Sequence, residues 1–178
     1  DSFLEFGTLD FATKSQIGKP YRDIIRPIDK KGELQAFREY SISRRVLELS
    51  RKGLETGIDP VMAAEVIKQG KRFEKAFAEQ RLYQTEVLEY LRDSGVLSMQ
   101  QFMAIQEANL DYVPLHRVMD PGKSKGVGVR GAALPASLKK FKGSIRRIVD
   151  PIESIMRNTY VLTTLAERNR TMNALIEL

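Results

Sequence analysis

The sequence predicts an all-α protein: a bundle of four to five helices, an extended YVPLHR segment, and a basic, glycine-rich loop ahead of a long C-terminal helix. Three observations carry that expectation. Apolar residues recur at helical spacing over 33–105 and again from Ile152 onward. Start signals precede three of these runs: Asp59 with Pro60, Ser98 with Gln101, and Asp150 with Pro151. The apolar–polar alternation that marks strands occurs in one short stretch after Asn109.

Residues 1–32 mix Phe3, Phe6 and Phe11 with Gly7, Gly18, Pro20 and Pro27 and hold no sustained period, so they are expected to form an irregular arm with a short helix around YRDIIR. From Glu33 the spacing of Leu34, Phe37, Val46 and Leu49, with Arg38, Arg44, Arg45 and Lys52 between them, predicts an amphipathic helix that stops near Gly53. In GIDP, Asp59 suits an N-cap and Pro60 the first helical position, where a missing N–H is no loss. A bend is expected at Gly70, because glycine inside a helix costs about 1 kcal/mol relative to alanine. Phe73, Phe77, Tyr83, Val87, Tyr90 and Leu91 then mark one face of a long helix that Gly95 is placed to end. Ser98 and Gln101 have the spacing of a capping box, opening a short helix with Phe102, Met103 and Ile105.

Past Asn109 the helical period disappears. LDYVPLHRVMD alternates, with Pro114 inside it, and reads as an extended segment or edge strand in which Tyr112, Pro114 and His116 share one face. PGKSKGVGVRGAALPAS, with four glycines and two prolines, reads as a mobile loop or linker. In DPIE, Asp150 at the N-cap, Pro151 in the first turn and Glu153 three residues after the cap agree on a helix over 150–178, about 40 Å long at 1.5 Å per residue. Ile152, Ile155, Met156, Leu162, Leu165, Ala166, Met172, Leu175 and Ile176 form its apolar stripe; Asn169 and Asn173 fall on or beside it, either fixing helix register or facing solvent at a rim. The expected organisation is therefore an arm (1–32), a helical domain (33–116), a basic loop region (117–149), and a helix (150–178) packed on that domain or on a neighbour.

Composition narrows the chemistry. The chain has no cysteine and one histidine, which removes disulfides and thiolate metal sites, and no metal or cofactor is expected. No apolar run reaches the roughly 18 residues a membrane span needs. The chain starts at Asp1 and ends inside a helical pattern, as expected of a fragment of a longer polypeptide.

Charge is informative once placed. The window 117–147 carries nine basic residues, Arg117, Lys123, Lys125, Arg130, Lys139, Lys140, Lys142, Arg146 and Arg147, against the single acid Asp120. Its local net of +8 exceeds the +6 of the whole chain, so the excess is confined to this stretch. Such a stretch attracts phosphate backbones or acidic protein surfaces, and Tyr112 beside it is available to stack on a base. A solvated linker is the alternative.

Catalytic patterns are thin. His116 has the right pKa range for a general base, but no nucleophile elbow or comparable setting accompanies it. GKS at 122–124 lacks the earlier glycine of a phosphate loop, since position 117 is arginine. Glu74, Glu79, Glu86 and Glu89 are spaced as a solvated helix face, and the sequon at Asn169 lies inside a helix. No catalytic residue is assigned.

Three stretches, ELQAFREYSISRRVLELSRKGLETGI, LRDSGVLSMQQFMAIQEANLDYVPLHRVMD and KGSIRRIVDPIESIMRNTYVLTTLAERNR, resemble a helical region of the very large polyvalent proteins of tailed bacteriophages and related mobile elements, of the internal virion or ejected type. Tyr112, Val113, Pro114, Leu115, His116 and Arg117 match that family's Y-V-P-[LF]-[HY]-R, and Asp150, Pro151, Ile152 and Glu153 match its D-P-[IL]-E. The family accepts tyrosine at position 116, which cannot replace an imidazole base and so argues against catalysis there. The resemblance implies a non-enzymatic structural module packed inside the virion and delivered into the bacterial host cytoplasm or envelope. Helicase, methyltransferase, peptidase or transferase modules would lie elsewhere in the polypeptide. Its expected partners are other segments or copies of the parent protein, with DNA as a further candidate and no small-molecule substrate. Two competing expectations remain open: a stand-alone, sequence-independent nucleic-acid-binding module, and a hydrolase using His116.

Overall fold

The structure, a computed structural model, describes residues 2–111, 113 and 150–176. Among them the chain is all-α. Seven α-helices follow one another: α1 Ser2–Phe6, α2 Tyr21–Asp29, α3 Leu34–Arg51, α4 Pro60–Gln69, α5 Glu74–Asp93, α6 Met99–Ala108 and α7 Pro151–Ile176, with a 3₁₀ turn Lys71–Phe73 between α4 and α5. No strand occurs among the described residues.

The long helix α5 is the central element. Its rings and that of the turn before it meet rings from several of the layers that cover it. Phe73 and Phe77 stack edge-on with Phe37 and Tyr40 of α3, Tyr83 lies 5.0 Å from Tyr21 of α2, and Tyr90 is flanked by Phe3 and Phe11. Helix α7 closes the remaining side through Ile155, Leu162 and Ala166, all buried. Full burial of such a side chain contributes about 1.5–3 kcal/mol, so each ring of this column stabilises the bundle substantially.

Residues 2–32 depart from the irregular arm that the sequence predicts. Helix α2 is the short helix expected around YRDIIR and α1 is not anticipated; the two raise the helix number above four to five, and Phe3, Tyr21, Ile24 and Ile28 are core residues. Only the stretch between them is irregular. There the Asp10 N–H donates to the Ser15 carbonyl and the Ile17 N–H to the Thr8 carbonyl, around a turn in which Lys14 takes φ 58°. Helices of five and nine residues are marginal alone. Burial of one face against α5 stabilises them, and propensity does not report that.

The helix ends follow local chemistry. Asp59 accepts from the Val61 N–H at 2.8 Å, Ser98 and Gln101 form both bonds of the capping box at 3.1 and 2.9 Å, and the Asp150 carboxylate accepts from Ile152 N–H at 2.9 Å. Gly95 ends α5 with φ 82°. The interruption at Gly70 has a tertiary cause as well: a Cβ there would stand 2.5 Å from Cδ2 of Tyr40. Asn169 settles its own alternative by donating to the Ser94 carbonyl at 2.6 Å, which ties α7 to the end of α5, whereas Asn173 is exposed. Beyond Asn169, Met172, Leu175 and Ile176 of the expected apolar stripe are exposed. No helix among the described residues is long and apolar enough to cross a membrane.

Candidate functional site

The sequence directs attention to the basic stretch and its flanks. Tyr112, Pro114, His116 and all nine basic residues, Arg117, Lys123, Lys125, Arg130, Lys139, Lys140, Lys142, Arg146 and Arg147, lie outside the described residues. The described structure ends on one side at Asp111 and Val113 and resumes on the other at Asp150. Both ends are held by the same helix, α3.

On the entry side, Asp111 is gripped by two arginines. Arg44 donates to it through Nε at 3.1 Å and Nη2 at 3.2 Å, a bidentate fork, and Arg81 of α5 approaches at 3.2 Å. Burial disfavours the charge on Arg44, but the hydrogen bonds and charge of Asp111 more than offset it, so the guanidinium is held even more firmly protonated than usual. Its plane lies over the ring of Phe77, 5.1 Å from the centroid. Two residues on, Val113 is buried, 1% exposed.

Glu48 completes this end. Its carboxylate accepts the backbone N–H groups of Leu110 at 3.0 Å and Asp111 at 3.2 Å, and it also meets Arg45 and Lys52. Arg45 in turn donates to Asn109 Oδ1 at 2.7 Å. Burial pushes the Glu48 carboxyl up, yet the two cations outweigh it and leave the group below the ordinary carboxylate range. Arg45 and Glu48 are only 3% and 6% exposed, so the pattern of arginines between apolar positions that suggests a solvated face of α3 in fact marks an internal ion network.

The return side uses Arg38. Its Nε stands 2.8 Å from the Asp150 carboxylate, although the N–H does not point along a hydrogen bond. Asp150 at the same time caps α7, its carbonyl accepting from Ser154 N–H at 2.9 Å. Pro151 is buried behind the cap, and Glu153 is exposed and pairs with Arg157 at 3.0 Å. Arg38 and Arg44 are six residues apart, about 9 Å along the axis of α3 at 1.5 Å per residue. Asp111 and Asp150, with 38 residues between them in sequence, are thus held along less than two turns of one helix.

Chemically, this arrangement anchors the residues that flank the basic stretch. The groove between α5 and α6, about 230 Å³, is lined by Arg81, Gln84, Thr85, Gln106 and Asn109 together with alanine, leucine and isoleucine side chains. The described residues that line it supply no imidazole, thiol or carboxylate. Asp150 caps α7 and pairs with Arg38, and Pro151 is buried behind it. Arg38, Arg44, Arg45, Glu48, Arg81 and Asp111, which hold these flanks, are not singled out by sequence. The only signal for them was the i, i+3, i+7 spacing of Arg45, Glu48 and Lys52 inside an apolar helix. Comparison of the chain with family models, with curated proteins and with solved structures gives no match.

Proposed function

We propose that this chain is a non-enzymatic structural and interaction module of a large bacteriophage or mobile-element protein, of the internal virion or ejected type, which holds out its basic stretch to DNA or to an acidic partner surface. The observation that carries the proposal is the anchoring of both flanks of that stretch on α3, through Arg44–Asp111 and Arg38–Asp150. The segment carries +8 within residues 117–147, and both its flanks are fixed on one packed helix. Concentrated charge raises both the encounter rate and the number of phosphates neutralised together. The bundle itself packs against other segments or copies of the parent protein inside the virion, and the module uses no cofactor and no small-molecule substrate.

The test is binding of the full chain to a mixed-sequence DNA duplex and, separately, to polyglutamate over a salt series. Affinity for the target falls steeply with salt, and replacing Lys139, Lys140, Lys142, Arg146 and Arg147 by glutamine flattens that slope by about 0.9 for each phosphate no longer neutralised. His116→Tyr binds as the parent chain does. Absence of binding to both polyanions at low salt removes the proposal.

A further inference from the structure

A second basic surface is assembled by tertiary structure from segments that are remote in sequence. Lys30 and Lys31 lie in the link between α2 and α3, while Lys68, Lys71 and Lys75 run along the end of α4, the 3₁₀ turn and the start of α5. All five are exposed, and none takes part in an ion pair among the described residues. Arg72 is the brace that joins the two segments. Its Nε donates to Glu33 at 2.7 Å and its Nη1 to the Gln69 carbonyl at 3.1 Å, while the guanidinium lies 4.4 Å from the Phe73 centroid. Beneath it, Phe73 packs edge-on against Phe37 at 5.6 Å, so the corner is fixed by the core.

Charge in this corner is net positive: Arg72 and Glu33 neutralise each other, leaving five lysines against Asp29, Glu65 and Glu74, with Glu65 keeping its charge while it accepts from the neutral amide of Gln69. We propose that this corner is a contact surface for the phosphate backbone of double-stranded nucleic acid. The inference rests on the DNA branch of the function proposed above and extends it to a preformed site outside the basic stretch. Lysines here are point charges on long stems, suited to phosphates along a backbone and carrying no base preference. The neighbouring rings, Phe37 and Phe73, are buried, which leaves no stacking platform for single-stranded bases.

The experiment compares three full-length chains on a mixed-sequence DNA duplex and on polyglutamate across a salt series. These are the parent, the corner variant K30Q/K31Q/K68Q/K71Q/K75Q and the stretch variant K139Q/K140Q/K142Q/R146Q/R147Q. Arg72 and Glu33 stay in place, and circular dichroism checks that each variant keeps its helices. The corner variant is expected to bind duplex at least about tenfold more weakly at low salt, with a salt slope shallower by about two or more. Single-stranded DNA of the same charge is expected to bind no more tightly than duplex. A corner variant indistinguishable from the parent overturns the inference and leaves the proposed function standing on the basic stretch. A parent chain that captures polyglutamate but not DNA also overturns it, while keeping the acidic-partner branch. A parent that binds neither removes both.

Discussion

Consider the removal of Asp111, which is held on the bundle ahead of the basic stretch in the sequence. Its carboxylate receives a two-pronged bond from Arg44 at 3.1 and 3.2 Å and a third contact from Arg81 at 3.2 Å. Side chains of Arg44 and Asp111 are 26% and 15% exposed, so the pair lies between two measured limits. Fully exposed pairs contribute about 0.2–1 kcal/mol, and breaking a buried pair costs about 3–5 kcal/mol. The bidentate geometry and the partial burial together predict a coupling energy of about 1.5–2 kcal/mol for Arg44–Asp111. Arg81, at 41% exposure, is expected to couple to the same carboxylate by less than about 1 kcal/mol. Urea denaturation of the parent, Arg44→Met, Asp111→Ala and the double variant measures the cycle. Hydrogen exchange at Leu110 and Asp111, whose amides are bound by Glu48, reads the local consequence. A coupling below about 0.5 kcal/mol would place the pair among ordinary surface ion pairs, and the base of the stretch would not be held by it.

Three further outcomes follow from the same interactions. Glu48 and Glu86 are expected to respond to pH with opposite signs. Glu48 is depressed by its cations, so its contribution is complete above the unfolded carboxyl value of about 4.3 and fades as pH falls through its lower folded value. Glu48→Gln therefore lowers the melting temperature near neutrality and much less in acid. Glu86, raised by burial and by Glu89 against the bond from Thr8, contributes most when protonated and loses that contribution as pH rises through its elevated value. Glu86→Gln accordingly gains stability relative to the parent on going from acid to neutral pH, and a parallel profile for the two variants would refute the assignment. Gly18→Ala is expected to destabilise by about 1–3 kcal/mol, because the added carbon would stand 2.0 Å from both Glu86 Oε2 and Thr8 Oγ1; an unchanged urea midpoint counts against that packing. Asn169→Ala is expected to cost about 1 kcal/mol and to speed amide exchange beyond position 169, since it releases the tie to Ser94.

Sequence alone determined what depends on neighbours three or four residues apart. The all-α class, the start of α4 at Asp59, the capping box at Ser98 and the cap at Asp150 were legible because each rests on short-range backbone donors and one nearby side chain. Tertiary structure decided the rest. Helix α1 depends on burial of Phe3 against Tyr90 of α5, which no local propensity encodes, and the seat of α2 on α5 through Tyr21 and Tyr83 is likewise tertiary. The roles of Arg38 and Arg44 were equally hidden, since their partners Asp150 and Asp111 lie 112 and 67 positions away and meet them only once α3, α5 and α7 have packed. The lysine corner shares that origin: one ion pair across 39 positions, Arg72 to Glu33, joins two lysine-bearing surface segments.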